Sequence, residues 1–171
     1  MRALFVGRFQ PFHKGHLSTV KQILEKFDEL IIMIGSAQYS HTEHNPFTAG
    51  ERIEIIKETL LDENIPFEAI YIIPVPDTGI HPIWVAHVQS LVPSFDVVFT
   101  HNKLVEKLFT DKGIKVQHTR LLDRAHISGT EIRKKIAKQE NWEQYVPPKT
   151  AELIKKKRLD LRIIELFGEQ K

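Results

Sequence analysis

His13 and His16 stand three residues apart with Gly15 between them, and Arg8 lies a short way upstream. Imidazole nitrogens can donate hydrogen bonds to phosphate oxygens, and a guanidinium fork suits a phosphate better than an ammonium does. An apolar run, Ala3-Leu4-Phe5-Val6, precedes these residues and an amphipathic stretch follows them, so they sit on a strand-to-helix turn. The start of a helix has unpaired N–H groups and about half a positive charge, which also attracts phosphate. Two imidazoles, an arginine and a helix start suit a polyphosphate in mid-reaction. The plainer alternative makes His13 a helix cap and His16 a surface residue.

A second cluster is Ile127-Ser128-Gly129-Thr130-Glu131-Ile132-Arg133. Ser128 with Glu131 has the spacing of a capping box, which opens a helix and leaves its first N–H groups for a ligand. Thr130 and Arg133 share a face, and helical side chains lean toward the N-terminus, so Arg133 can reach an anion at the helix start. Alone, the motif reads sooner as a capped helix with a surface arginine, and the first cluster at the same sheet edge turns it toward a ligand. The chain lacks the Gly-x-x-x-x-Gly-Lys-Ser/Thr loop, the Gly-x-Gly-x-x-Gly fingerprint and a Gly-x-Ser-x-Gly elbow. It has no cysteine, hence no disulfide, thiolate zinc site or thiol nucleophile. Nucleotidyl transfer needs no protein nucleophile: one phosphate attacks the α-phosphorus of ATP in line, and pyrophosphate leaves. The protein aligns the groups and neutralises charge.

The elements that must position these residues follow from periodicity. Leu17, Val20, Ile23, Leu24 and Phe27 give a first helix, and Leu30 to Ile34 a strand buried on both faces. Thr48 and Glu51 form a capping box for a helix running to about Leu61. Ala69 to Val75 is a third strand, and Pro82 opens a helix carrying Trp84, Val88 and Leu91. Strands at Phe95–Thr100 and Ile114–His118 flank a helix capped by Asn102 and ended before Gly113. The Ser128 helix runs to about Lys138, and the region from Asn141 is helical but broken by Pro147-Pro148. Such alternation predicts an α/β fold: a Rossmann-like, doubly wound parallel sheet of about five strands, with a helical C-terminal region over about 141–171. The 171 residues fit a single domain. Ligands of such sheets bind at the C-terminal strand edge, where the His-x-Gly-His turn, Gly35-Ser36, Asp77-Thr78-Gly79, Thr100-His101-Asn102 and the Ser128 helix all fall.

Net charge is +2 with acids and bases interleaved, which gives no signal for nucleic acid or a membrane surface. The apolar runs are strand-sized, and no transmembrane segment or signal peptide is expected. A cytoplasmic protein is expected. Lys155-Lys-Lys-Arg158 reads as a solvated helix face, and His87, His118 and His126 as structural or surface residues. His41 and His44 lack a third ligand, so no protein metal site is expected there. Trp84 shares a stripe with Val88 and Leu91, so core packing competes with ligand stacking. Asp77 suits a ribose, an ordered water or a turn cap.

Five stretches carry a more specific likeness: Gly7-Arg-Phe-Gln-Pro-Phe-His-Lys-Gly-His16, Ile34-Gly-Ser-Ala-Gln38, Asn45-Pro-Phe-Thr-Ala-Gly-Glu-Arg52, Ile83-Trp-Val85 and Ser128-Gly-Thr-Glu-Ile-Arg133. With these the chain resembles archaeal-type nicotinamide-nucleotide adenylyltransferases of the His-x-Gly-His superfamily over nearly its whole length. That family joins ATP and nicotinamide mononucleotide (NMN) into NAD and pyrophosphate with Mg²⁺. The resemblance implies that Arg8, His13, His16 and Arg133 hold the ATP phosphates and the transition state, with Gly7, Phe9, Gln10, Ser128 and Thr130 also around the ATP. It implies that Trp84 stacks on the nicotinamide ring, with Ser36, Phe47, Asp77 and His81 around that nucleotide. Mg²⁺ is then held mainly by the ATP phosphates, and the protein is a homo-oligomer, related members being hexamers. Some bacterial relatives carry a fused Nudix hydrolase domain, for which these 171 residues leave no room. The chain departs from the family pattern in three places. His81 stands where the family often has Asn, His101 and Lys103 where Gly and Pro are usual, and His44 where some relatives have Arg.

Two other readings stay open on the sequence. One changes the acceptor to phosphopantetheine, FMN or an alcohol phosphate, against which stand Trp84 and the Pro46–Arg52 stretch. The other is a nucleotide sensor without turnover, which has no need of groups aimed at a transition state.

Overall fold

Hydrophobic alternation along the strands divides the molecule into two apolar layers. A computed structural model describes residues 1–122 and 127–168; His126 lies outside the described residues. Five strands, β1 (Arg2–Gly7), β2 (Glu29–Ile34), β3 (Ile70–Pro74), β4 (Val97–Phe99) and β5 (Val116–Gln117), form one parallel sheet in the order β3-β2-β1-β4-β5. Residues Ala3, Phe5, Ile32 and Phe99 face one core, Leu4, Val6, Ile31 and Val98 the other. The first core is closed by α1 (Lys14–Leu24), α2 (Ala49–Asp62), α5 (Gly129–Ala137), α6 (Pro148–Lys156) and α7 (Leu159–Gly168). The second is closed by α3 (His81–Leu91) and α4 (Lys103–Asp111).

The chain winds outward from β1 to β3 and then returns to the other side of β1 for β4 and β5. The strand order therefore reverses between β1 and β4, which opens a crevice beyond their C-terminal ends. Gly7 pairs with Ile34 and Ile34 with Pro74, so the turns after β1, β2 and β3 leave the sheet side by side.

Three local expectations are corrected. The last two strands are shorter than their apolar runs. The Asp96 carboxylate takes the Arg2 N–H before β4 begins, and the Ile114 N–H closes the exit of α4 onto the Phe109 carbonyl. Pro148 begins α6 instead of breaking a helix, since a first-turn residue needs no N–H partner. Only half of the second capping box forms: the Ser128 hydroxyl accepts the Glu131 N–H, while the Glu131 carboxylate lies 3.5 Å from Lys134. The box at Thr48 and Glu51 is complete.

Candidate active site

The His-x-Gly-His turn caps its own helix. His13 is the N-cap of α1, and its Nδ1 accepts the Gly15 and His16 N–H groups at 3.1 and 3.3 Å. The His16 Nδ1 accepts the His13 N–H at 3.1 Å. Two imidazoles thus make the reciprocal box that Thr and Glu make at α2. A nitrogen that accepts an N–H carries a lone pair, so the ring proton of each neutral imidazole sits on Nε2. Burial and then His101 push the His13 imidazole down to about 3. Burial, then His13 and His101, hold His16 well below the ordinary imidazole range. Both rings are neutral at physiological pH, each with one Nε2–H donor to offer. They stack with centroids 3.5 Å apart, and a Cβ on Gly15 would lie 2.9 Å from the His13 ring. The cap reading of His13 therefore holds, and the same contacts fix the tautomer of both rings. The surface alternative for His16 fails: the ring is half-buried, with Phe9 and Phe12 ring centroids 4.7 and 5.6 Å from its own.

Beyond the strand ends lies a cavity of about 720 Å³, within the range of small-molecule sites. Gly7, Arg8 and His16 line it from the β1–α1 side, and Ser36 and Asp77 from the β2 and β3 turns. His81 and Trp84 line it from α3, and Thr100, His101 and Asn102 from the β4 turn. The Arg8 side chain is exposed, and its guanidinium makes no ion pair or hydrogen bond among the described residues. The Ser36 hydroxyl donates to Asp77 Oδ2 at 2.7 Å, and the Gln38 amide bonds both main-chain groups of Asp77. Trp84 belongs to both alternatives: it is 8% exposed and meets Phe109 edge-on at 5.4 Å, yet its remaining surface faces the cavity.

Other expected site residues sit beneath the cavity. Phe9 and Phe47 are buried in the first core. The Gln10 side chain is tied to Phe47, accepting its N–H at 2.9 Å and donating to its carbonyl at 3.1 Å. Aromatic core packing and this amide pair keep all three side chains from the cavity surface. Arg133 does reach back along α5, donating to the Gln10 carbonyl at 2.7 Å and lying 3.4 Å from the Thr130 hydroxyl. Its Nε is buried without a partner, and its guanidinium is pushed down to about 10 by burial and then by Arg8. Gly129 permits this closeness, for a Cβ there would meet the Arg133 guanidinium at 2.9 Å and the Gln10 carbonyl at 3.2 Å. Ser128 caps the helix, and Thr130 is exposed on its first turn.

Arg52 lies outside the expected site residues, and His101 is marked in the sequence only as a strand-edge residue and a departure from the family pattern. Arg52 is 1% exposed on α2 and bonds main-chain carbonyls of the β1 and β2 turns. Its trace in the sequence is a cation on the apolar stripe of Ile55, Ile56 and Thr59. His101 joins the cavity beside His16, with Nε2 3.4 Å from the Thr19 hydroxyl. Among the described residues no group of three or more His, Cys, Asp or Glu side chains could hold a metal ion. No helix among them is long and apolar enough to cross a membrane. In the basic run, Lys155 pairs with Glu143 and Lys157 with Glu54.

Residues 4–135 match the cytidylyltransferase-like family. Over 163 residues the chain is 53% identical to a nicotinamide-nucleotide adenylyltransferase of Archaeoglobus fulgidus, covering 91% of each. The chain belongs to the nicotinamide-nucleotide adenylyltransferase family. A second member, from Ignicoccus hospitalis, is 50% identical over 167 residues, 97% of this chain and 98% of that one. Among solved structures, a bifunctional NMN adenylyltransferase/ADP ribose pyrophosphatase of Francisella tularensis, complexed with AMP and a manganese ion, superposes with a TM-score of 0.77. It is 24% identical and covers 99% of this chain, which spans only 52% of the bifunctional one. That likeness shows the fold: a Rossmann-like α/β sheet, as expected.

Proposed function

We propose that this protein transfers the adenylyl group of ATP to NMN, giving NAD and pyrophosphate, without a covalent intermediate. A phosphate oxygen of the mononucleotide forms a bond to the α-phosphorus of ATP as the bond from that phosphorus to the β-phosphate oxygen breaks. Pyrophosphate leaves with the electron pair. One observation carries the reading: at the start of α1 the stacked His13 and His16 are held neutral, each with its ring proton on Nε2, and His16 lines the cavity. Such preorganised donors favour charge developing on a phosphate in flight, and neutral rings keep their tautomer across the physiological range.

In this reading the Arg8 guanidinium, unpaired in the described chain, binds the triphosphate together with the first turn of α1. Arg133, Ser128 and Thr130 present the start of α5 to the same phosphates. Gly7, Phe9 and Gln10 contribute main-chain groups, because two of their side chains are buried. The nicotinamide nucleotide takes the other end, with the exposed rim of Trp84 against its ring and His81, Asp77 and Ser36 around it. Phe47 supports this end from the core. Mg²⁺, when bound, neutralises the triphosphate. In this reading the ATP phosphates carry it, and among the described residues no group of three or more His, Cys, Asp or Glu competes for it. Residues 1–171 act as one nucleotidyltransferase domain, cytoplasmic and homo-oligomeric, up to a hexamer. The exposed Ile83 and Leu91 of α3 offer an apolar face for that assembly.

The test is product analysis on the purified protein with ATP, NMN and Mg²⁺. NAD and pyrophosphate should appear in equal amounts. A folded protein that forms neither overturns the reading, and radiolabelled adenylate trapped covalently on the protein with ATP alone overturns the direct route.

A further inference from the structure

The ladder between β1 and β2 ends where the site begins. Gly7 pairs with Ile34, and the last main-chain bond runs from the Gly35 N–H to the Gly7 carbonyl at 2.8 Å. Past that point the Arg52 side chain joins the two exits. Arg52 Nη1 donates to the Arg8 carbonyl at 3.0 Å and to the Gly35 carbonyl at 2.9 Å. Its Nη2 donates to the Ser36 carbonyl at 3.2 Å, and its Nε to the Thr48 carbonyl at 3.2 Å. The guanidinium is buried and forms no ion pair among the described residues. Its fork is occupied by main-chain oxygens.

Those oxygens are not arbitrary. Phe9 and Ser36 are the residues of the two turns that hold a left-handed backbone, at φ 54 and 50, a region L-residues adopt with strain. Arg52 bonds the carbonyl just before each of them, Arg8 and Gly35, and that of Ser36 as well. Both turns line the cavity. Arg8 and His16 line it from the β1–α1 segment, and Ser36, whose hydroxyl holds the Asp77 carboxylate, from the β2 turn. With the cavity as an adenylyl-transfer site, the first pair is assigned to ATP and the second to the acceptor.

We propose that Arg52 is a positioning residue for the transfer: its planar fork fixes the spacing and twist between the Arg8 turn and the Ser36–Asp77 turn, and so the alignment of the two nucleotides. In-line attack is sensitive to such alignment, a misplacement of about 1 Å being enough to slow a reaction on the order of 10²-fold. A lysine keeps the charge but is a point donor and cannot hold both turns in one plane. The inference rests on the proposed adenylyl transfer, so wild-type NAD synthesis is measured first. Failure of that function shows in the wild type, and failure of this inference shows in the variants alone.

The test uses the full-length Arg52→Lys and Arg52→Gln variants. Both should give a wild-type circular-dichroism spectrum and a cooperative thermal transition. Both should lose kcat on the order of 10²-fold, with the ATP KM within about threefold of wild type. A cycle with Arg8→Ala gives a readout that general loosening would not move. If Arg52 acts through the position of Arg8, the Arg52→Lys, Arg8→Ala double variant should turn over within about threefold of Arg8→Ala alone. Independent, multiplying losses would overturn the proposal. So would wild-type kcat in Arg52→Lys, which would make charge the requirement, or failure of both variants to fold, which would make Arg52 a stability residue.

Discussion

Replacing Gly15 by alanine should separate catalysis from stability. The added Cβ would lie 2.9 Å from His13 Cε1 and 3.0 Å from its Nδ1, closer than packed atoms tolerate. The His13 ring cannot yield toward His16, because the two rings already stack with centroids 3.5 Å apart. It must turn outward, releasing the Gly15 and His16 N–H groups and moving its Nε2 donor. Loss of the cap costs about 1 kcal/mol, and alanine in place of glycine returns up to about 1 kcal/mol of helix propensity. Net stability should change by less than about 1 kcal/mol, a Tm shift below about 2–4 °C at this chain length. The misplaced donor should lower kcat by roughly 10²–10³. Gly50 is the matched control. It holds the same position in α2, and a Cβ there meets nothing nearer than the Thr48 hydroxyl at 3.9 Å, an ordinary contact. Gly50→Ala should leave kcat unchanged. The assay is NAD formation at saturating ATP and NMN beside thermal unfolding of both variants. A Gly15→Ala protein with kcat within about fivefold of wild type would refute the claim that the His13 ring must sit where it does.

Trp84 packs on Phe109, so Trp84→Ala should cost about 3–5 kcal/mol of stability; Trp84→Phe, which keeps most of the packing, should raise the NMN KM several-fold and leave the ATP KM alone. Equal changes in both constants, or none, would return Trp84 to the core alone. The folded His13 titrates near 3 against about 6.5 in an unfolded chain, so between those values the unfolded state binds more protons. This group's penalty is absent above about pH 6.5 and grows as pH falls toward 3, by up to about 1.4 kcal/mol per pH unit. In NMR spectra the His13 and His16 rings should keep the Nε2–H pattern from pH 8 to 5.5, while Tm declines with acid over the lower part of that range. A ring titrating near 6.5 would contradict the capping geometry.

Much of this arrangement is legible in the chain. Caps at His13, Thr48, Asn102 and Ser128 mark helix starts because a short polar side chain before an apolar stripe has few other uses. The β1 and β2 runs are apolar on both faces because helices cover both, and the winding brings the unusual polar residues to one edge. The missing parts share a physical cause. The aromatic enclosure of His16 comes from Phe5, Phe9 and Phe12, whose i, i+4, i+7 spacing imitates a helix although Phe5 lies on β1 and the other two in the turn before α1, so periodicity does not reveal it. Arg52 and Gln10 act on main-chain groups far along the chain, and such bonds leave no pattern of residue types. The left-handed turns at Phe9 and Ser36 occur without glycine or asparagine, so turn chemistry does not announce them.

In the proposed reaction the Nε2–H donors of the two capping imidazoles drive the transfer. His16→Asn tests it most directly, since the asparagine oxygen can still accept the His13 N–H while the Nε2 donor is gone. The measurement is kcat for NAD synthesis, read beside the Tm of the same protein. We expect a loss of roughly 10²–10³ in kcat with a Tm change of only a few degrees. A stable His16→Asn protein turning over at the wild-type rate would contradict the account.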